Sequence, residues 1–255
     1  MHTPLILTAF GTTSAARASY NHIEKTIRTR YPTRDIYWGY SSRVVARELK
    51  RSKDLVIQHP AEILKDLVNA GHKEATIQSL HLLPGHEFHS LHMEVRNISA
   101  IRCRMGLPLL ASEHDYISII EMLSPLITKC TDHAVVVVGH GTRHPVWPAY
   151  LALENLLQKR FGSRVMTGVV EHFPSSDHVV ETICSAGYTK VLLIPFFLVA
   201  GLHYRRDMIG ENEQSWKSRL EAKGLEVESL EEGIGMLDGI GDLVIRHIED
   251  AESAR

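Results

Sequence analysis

Three side chains in the second half of this sequence could together hold a divalent cation: His140, Glu171 and His203. Imidazole nitrogens and a carboxylate oxygen suit ions of borderline softness. The 16 histidines nearly match Phe, Tyr and Trp combined, so histidine is the residue type to place first. Each of the three also has a plainer reading. His140 lies between two glycines and could begin a helix or face an anion at a helix N-terminus. Glu171 suits a surface or capping position, and His203 a turn after Gly201. His86, His89 and His92 have helical spacing and read as a partly exposed helix face.

Such donors need fixed elements behind them. Short apolar, β-branched runs alternate with longer stretches of helical period, the pattern of an α/β protein with parallel sheets. Strands are expected at Leu5–Phe10, Asp35–Tyr40, Glu74–Leu80, Leu107–Ala111, Ala134–Gly139, Val165–Val170, Lys190–Val199 and Leu225–Ser229. The stretch from about Pro145 to Arg160 reads as helix, its leucines and aromatics mostly three or four apart. Ala61–Ala70 reads as another, following Pro60 and stopping at Gly71.

Displaced by 130 residues, the chain matches itself. Phe10-Gly11-Thr12 falls on His140-Gly141-Thr142, Arg30-Tyr31 on Arg160-Phe161, and Arg34 on Arg164. Further on the displacement becomes 116, with Ala70-Gly71-His72 on Ala186-Gly187-Tyr188 and Gly85 on Gly201. The difference of 14 residues is expected as extra chain between Ser42 and Pro60. The ordered matches imply two similar α/β halves, 1–130 and 131–255. In open parallel sheets, ligands bind beyond the carboxyl ends of the strands. There the first half has Phe10, Ser41 and Glu87 where the second has His140, Glu171 and His203. Two imidazoles and a carboxylate thus collect at successive strand ends of one half.

Composition narrows the partners. Lys plus Arg (28) nearly balance Asp plus Glu (30), so no strong field points to nucleic acid or an anionic membrane. The longest apolar run, Val191 to Leu202, is far short of the roughly 20 residues that cross a bilayer. No basic segment and apolar core open the chain, and Cys103, Cys130 and Cys184 form no CxxC pair. A cytoplasmic protein is expected. There is no phosphate loop, no dinucleotide fingerprint, no GxSxG elbow and no HExxH.

Several blocks carry a family likeness: Ala9-Phe10-Gly11-Thr12, Gln78-Ser79-Leu80-His81, Gly139-His140-Gly141, Val170-Glu171 and Leu198-Val199-Ala200-Gly201-Leu202-His203. Asp207-Met208 and Ser215-Trp216-Lys217 add to them. Together they resemble the class II tetrapyrrole chelatases, specifically the sirohydrochlorin cobaltochelatases of the CbiK family. The match runs from the N-terminus to about residue 220. It implies two similar α/β domains, each a parallel sheet flanked by helices, with the active cleft between them. It also implies insertion of Co²⁺ into sirohydrochlorin during anaerobic cobalamin biosynthesis. His140, Glu171 and His203 would bind the metal, with His140 and His203 assisting pyrrole deprotonation.

Co²⁺ is then a substrate, and no organic cofactor is expected. Phe10, His81, Glu87 and Arg205 are candidate substrate contacts, Glu87 doubling as a second proton acceptor. Arg43, Arg143, Arg205 and Arg206 could meet the carboxylates of a polycarboxylate substrate. Some alternatives stay open. Fe²⁺ or Ni²⁺ would suit the same donors. A non-catalytic tetrapyrrole or metal carrier, or a phosphatase-like hydrolase using His140, would use overlapping residues. Assembly as a homo-oligomer is compatible with the sequence.

Overall fold

The computed structural model describes residues 3–12, 17–42, 45 and 57–254. The first seven elements are β1 (Leu5–Ala9), α1 (Ala18–Arg30), β2 (Ile36–Tyr40), α2 (Pro60–Asn69), β3 (Glu74–Ser79), α3 (His86–Arg96) and β4 (Arg102–Gly106). Next come α4 (Glu113–Lys129), β5 (Ala134–Gly139), α5 (Ala149–Phe161), β6 (Val165–Val169) and α6 (Ser176–Ser185). Then follow β7 (Lys190–Pro195), a π-helical turn (Tyr204–Met208), α7 (Trp216–Glu221), β8 (Glu226–Ser229) and α8 (Ile240–Ser253).

These elements build two four-stranded parallel sheets of the same order, β2-β1-β3-β4 and β6-β5-β7-β8. The expected α/β class and internal duplication are therefore visible in the topology. Strand β5 shows why the central strands read so clearly. All six of its residues are buried, and Ala134, Val136 and Val138 pack with α6, Trp216 and Leu220. Buried on both faces, such a strand carries a continuous apolar run. On one face of the first sheet, Ile6, Ala75 and Ile77 meet Ile63, Leu64 and Leu67 of α2 and Leu91 and Val95 of α3.

The chain divides into two compact units, Met1–Ala111 with Gly241–Arg255, and Ser112–Ile240. The expected halves, 1–130 and 131–255, are corrected at both ends. Helix α4 belongs to the second unit, because Arg164 donates to the carbonyls of Ile127 (3.0 Å), Cys130 (2.9 Å) and His133 (3.2 Å). A cation at a helix C-terminus satisfies carbonyls that have no partner within the helix. Helix α8 returns to the first unit through Arg34, the residue that falls on Arg164 in the repeat. Buried Arg34 donates to Thr3 O (2.8 Å), to Thr76 Oγ1 (2.9 Å) and to Glu252 in α8, which also accepts from Thr76 Oγ1 (2.6 Å).

Some boundaries differ from the sequence expectation. The fourth strand is Arg102–Gly106, not Leu107–Ala111. Leu109 and Leu110 are buried in a loop, where their N–H groups donate to His81 O and Leu82 O. Strand β7 stops at Pro195, not Val199. Helix α5 begins at Ala149, because Trp147 and Ala149 bond into turns with His144 and Val146. Helix α2 is capped by His59, whose side chain accepts from Ala61 N–H while Glu62 reaches back to His59 N–H. Most of the extra chain expected between Ser42 and Pro60, including Arg43, lies outside the described residues.

Removing the Glu252 carboxylate leaves buried Arg34 short of its counter-charge. Glu252→Ala should lower stability by about 2 kcal/mol, below the range for fully buried pairs because Glu252 is partly exposed. Urea unfolding would measure this, and an unchanged midpoint would refute it.

Candidate metal centre

The residues singled out in the second half do come together. His140, Glu171 and His203 each offer a donor atom, and these atoms all lie within 4.8 Å of one another. His140 follows β5, Glu171 lies just past β6, and His203 opens the turn after β7. All three belong to Ser112–Ile240, so the three donors come from one unit.

Backbone constraints fix the first two loops against each other. Glu171 N–H donates to His140 O (3.0 Å), and Val170 N–H to Gly139 O (3.0 Å). Gly141 makes that approach feasible. Its φ is +86°, and a Cβ there would lie 1.7 Å from Glu171 O. The buried Tyr150 hydroxyl accepts Gly141 N–H (3.1 Å) and anchors the loop to α5. Burial pushes the Tyr150 phenol upward, so it stays neutral in that role. His172, with φ 78°, turns the chain after Glu171, and its Nε2 lies 3.8 Å from Glu171 Oε2. The same two loops carry Trp147 and Phe173, a partly exposed edge-to-face pair with centroids 5.6 Å apart.

Hydrogen-bond partners orient the two imidazoles. His203 Nδ1 faces an Asp207 carboxylate oxygen at 2.7 Å, an acceptor, so the lone pair of this ring sits on Nε2. His140 Nδ1 lies 3.2 Å from Gly141 O. The two Nε2 atoms face each other at 3.2 Å, where they can share a proton or meet a cation. Glu171, exposed next to them, supplies negative charge.

Asp207 was not singled out as a site residue, although His203 and Asp207 are spaced i, i+4 on one face of a helical turn. Burial pushes the Asp207 carboxyl up, but hydrogen bonds from Arg206 and His203 outweigh it and hold it below the usual range. Arg206 grips Asp207 through Nε (2.7 Å) and Nη2 (3.0 Å), so its guanidinium is already engaged. Arg143 and Arg205 lie near His140 and His203 in sequence, and Arg205 is exposed.

The other candidates belong to the first unit. Phe10, just past β1, is 51% exposed. Glu87 lies in the first turn of α3 and is exposed, as are His86 and His89. His81, two residues past β3, is held between serines, with Ser79 Oγ 2.9 Å from Nδ1 and Ser41 Oγ 3.1 Å from Nε2. Where the second unit turns two Nε2 atoms towards each other, the first engages both nitrogens of His81 with serines.

Comparison with known proteins follows this geometry. The family model described as cobalt chelatase (CbiK) matches residues 3–253. The chain belongs to that family. A sirohydrochlorin cobaltochelatase of Salmonella typhimurium is 30% identical over 257 residues, covering 98% of this chain and 97% of its own. The sirohydrochlorin cobaltochelatase CbiKC of Nitratidesulfovibrio vulgaris is 31% identical, covering 98% and 90%. Among solved structures, SirB from Bacillus subtilis with Fe³⁺ superposes with a TM-score of 0.68 at 14% identity, covering 99% and 96%. That likeness supports the two-sheet fold of this CbiK-family chain. Among the described residues no helix is long and apolar enough to cross a membrane.

Burial pushes the His81 pKa down from 6.5 to about 4, with Glu87 pulling it partly back. In the unfolded chain the same group protonates near its ordinary value. Its neutral form therefore stabilises the fold fully above pH 6.5, and that contribution is lost as pH falls towards 4. A ¹⁵N-histidine NMR titration should find His81 still neutral at pH 5. A midpoint near 6.5 would contradict the burial argument.

Proposed function

We propose that this chain inserts Co²⁺ into sirohydrochlorin during anaerobic cobalamin biosynthesis, with His140, His203 and Glu171 delivering the metal. One observation carries the reading within the site: two imidazole nitrogens and a carboxylate oxygen lie within 4.8 Å of one another at the strand ends of a CbiK-family fold. The relatives named as sirohydrochlorin cobaltochelatases support the substrate and the metal.

The chemistry fits an incomplete, accessible ligand set. Insertion exchanges one divalent cation for two pyrrole N–H protons, so the macrocycle must shed protons as nitrogen replaces protein ligands. A closed four-ligand site would hold the ion too firmly. Here three donors sit at an open strand-end position, and His140 and Glu171 are exposed. Each imidazole that hands over its metal becomes a free base beside the pyrroles, so His140 and His203 take one of the two protons each. Trp147 and Phe173 give the neighbouring loops apolar surface for a flat macrocycle. Arg143 and Arg205 are the cations we assign to substrate carboxylates, since Arg206 is committed to Asp207. We assign the reaction to the cytoplasm, in keeping with a biosynthetic role.

Replacing both His140 and His203 by Ala should abolish Co²⁺ insertion, followed anaerobically by the absorbance of sirohydrochlorin. Circular dichroism should show the fold intact, because both side chains lie outside the core. A folded double variant with full turnover would end the proposal.

A further inference from the structure

We propose that Asp207 is a positioning residue for metal delivery, holding His203 by Nδ1–H so that the Nε2 lone pair points at the incoming ion. This rests on the reading of His140, Glu171 and His203 as metal ligands.

The turn that carries both residues is anchored on its inner side. Tyr204 and Met208 are buried in the core of the second unit, and Ile209 N–H closes a π-type bond to Tyr204 O (3.1 Å). Each of these core residues is preceded in sequence by a site residue, His203 before Tyr204 and Asp207 before Met208. The pair therefore shares the adjoining stripe of the turn, and the imidazole reaches the carboxylate at 2.7 Å. π-Helical turns recur at functional sites because they re-aim side chains at the cost of regular packing.

The carboxylate is itself held. Arg206 clamps both Asp207 oxygens, one through Nε and the other through Nη2. Asn212 Nδ2 donates to the Arg206 carbonyl (2.6 Å), which ties the end of the turn to the following loop. Gly210 permits that closure, since a Cβ there would lie 2.3 Å from Arg206 O. The chain of contacts runs from loop to arginine, from arginine to aspartate and from aspartate to imidazole.

His140 has no such support. Its Nδ1 meets a neutral backbone carbonyl at 3.2 Å, a longer contact with a weaker acceptor. A metal-binding imidazole whose second nitrogen donates to a carboxylate is both oriented and made a better donor. Asp207 thus gives one of the two imidazoles an anionic backing that the other lacks.

The test is a Co²⁺ titration of the full chain without tetrapyrrole, followed by the visible absorption of bound Co²⁺. Asp207→Ala should weaken Co²⁺ binding by about 10- to 100-fold, the usual cost of losing such a partner. Its Co²⁺ spectrum should also change, because the His203 ring is no longer fixed. In the insertion assay, kcat should fall while KM for sirohydrochlorin stays within about twofold on the same reasoning. Asp207→Asn keeps an oxygen acceptor for Nδ1–H and should recover part of the affinity.

Unchanged Co²⁺ affinity and spectrum in Asp207→Ala overturn the inference. Should the alanine variant fail to fold, Asp207→Asn decides: weaker Co²⁺ binding than the native chain supports the role, and equal binding overturns it. His203→Ala in the same titration separates this inference from the reading beneath it. If His203→Ala binds Co²⁺ normally, the ligand assignment itself fails. If it loses binding while Asp207→Ala does not, only the role of Asp207 fails.

Discussion

The molecule is organised around two imidazole nitrogens held face to face. Asp207 accepts the hydrogen bond from His203 Nδ1, and Gly141 O lies against His140 Nδ1. The two Nε2 atoms thereby meet across 3.2 Å. A proton or a cation fits between them, and Glu171 biases the site towards positive charge. The site is pre-organised on one side and open on the other. A device that must acquire an ion and then release it needs that combination.

The rest of the second unit keeps those two nitrogens together. Parallel strands end together, so β5, β6 and β7 deliver three loops to one place without long excursions. Gly141 lets the His140 loop touch the Glu171 backbone, and Tyr150 pins it from behind. The duplicated first unit has the same strand order but a different strand-end chemistry. There His81 is enclosed by Ser41 and Ser79 and is kept neutral by burial. The same strand order thus carries a hydrogen-bonded polar cluster in one unit and accessible donors in the other.

Much of this was legible in the sequence, for identifiable reasons. Buried central strands such as Ala134–Gly139 announce themselves as β-branched runs, and the internal repeat aligned His140, Glu171 and His203 with strand ends. The edge strand Arg102–Gly106 was hidden because only its last residue is buried, while the apolar Leu109 and Leu110 lie in a packed loop. The unit boundary was misplaced because the ties that decide it are distant in sequence. Arg34 reaches Glu252 across most of the chain, and Arg164 reaches back to the end of α4. Asp207 escaped notice because its role depends on a five-residue π turn, which hydrophobic periodicity does not register. Its spacing from His203 was the available signal.

The central claim is that the ion sits where the two Nε2 atoms converge. Anomalous scattering at the cobalt edge, from crystals of the full chain soaked in Co²⁺, tests this most directly. The account predicts a dominant peak at coordination distance from His140 Nε2 and His203 Nε2, with a Glu171 oxygen beside it. A dominant peak elsewhere, such as on the exposed histidines of α3, with no density between His140 and His203, would contradict it.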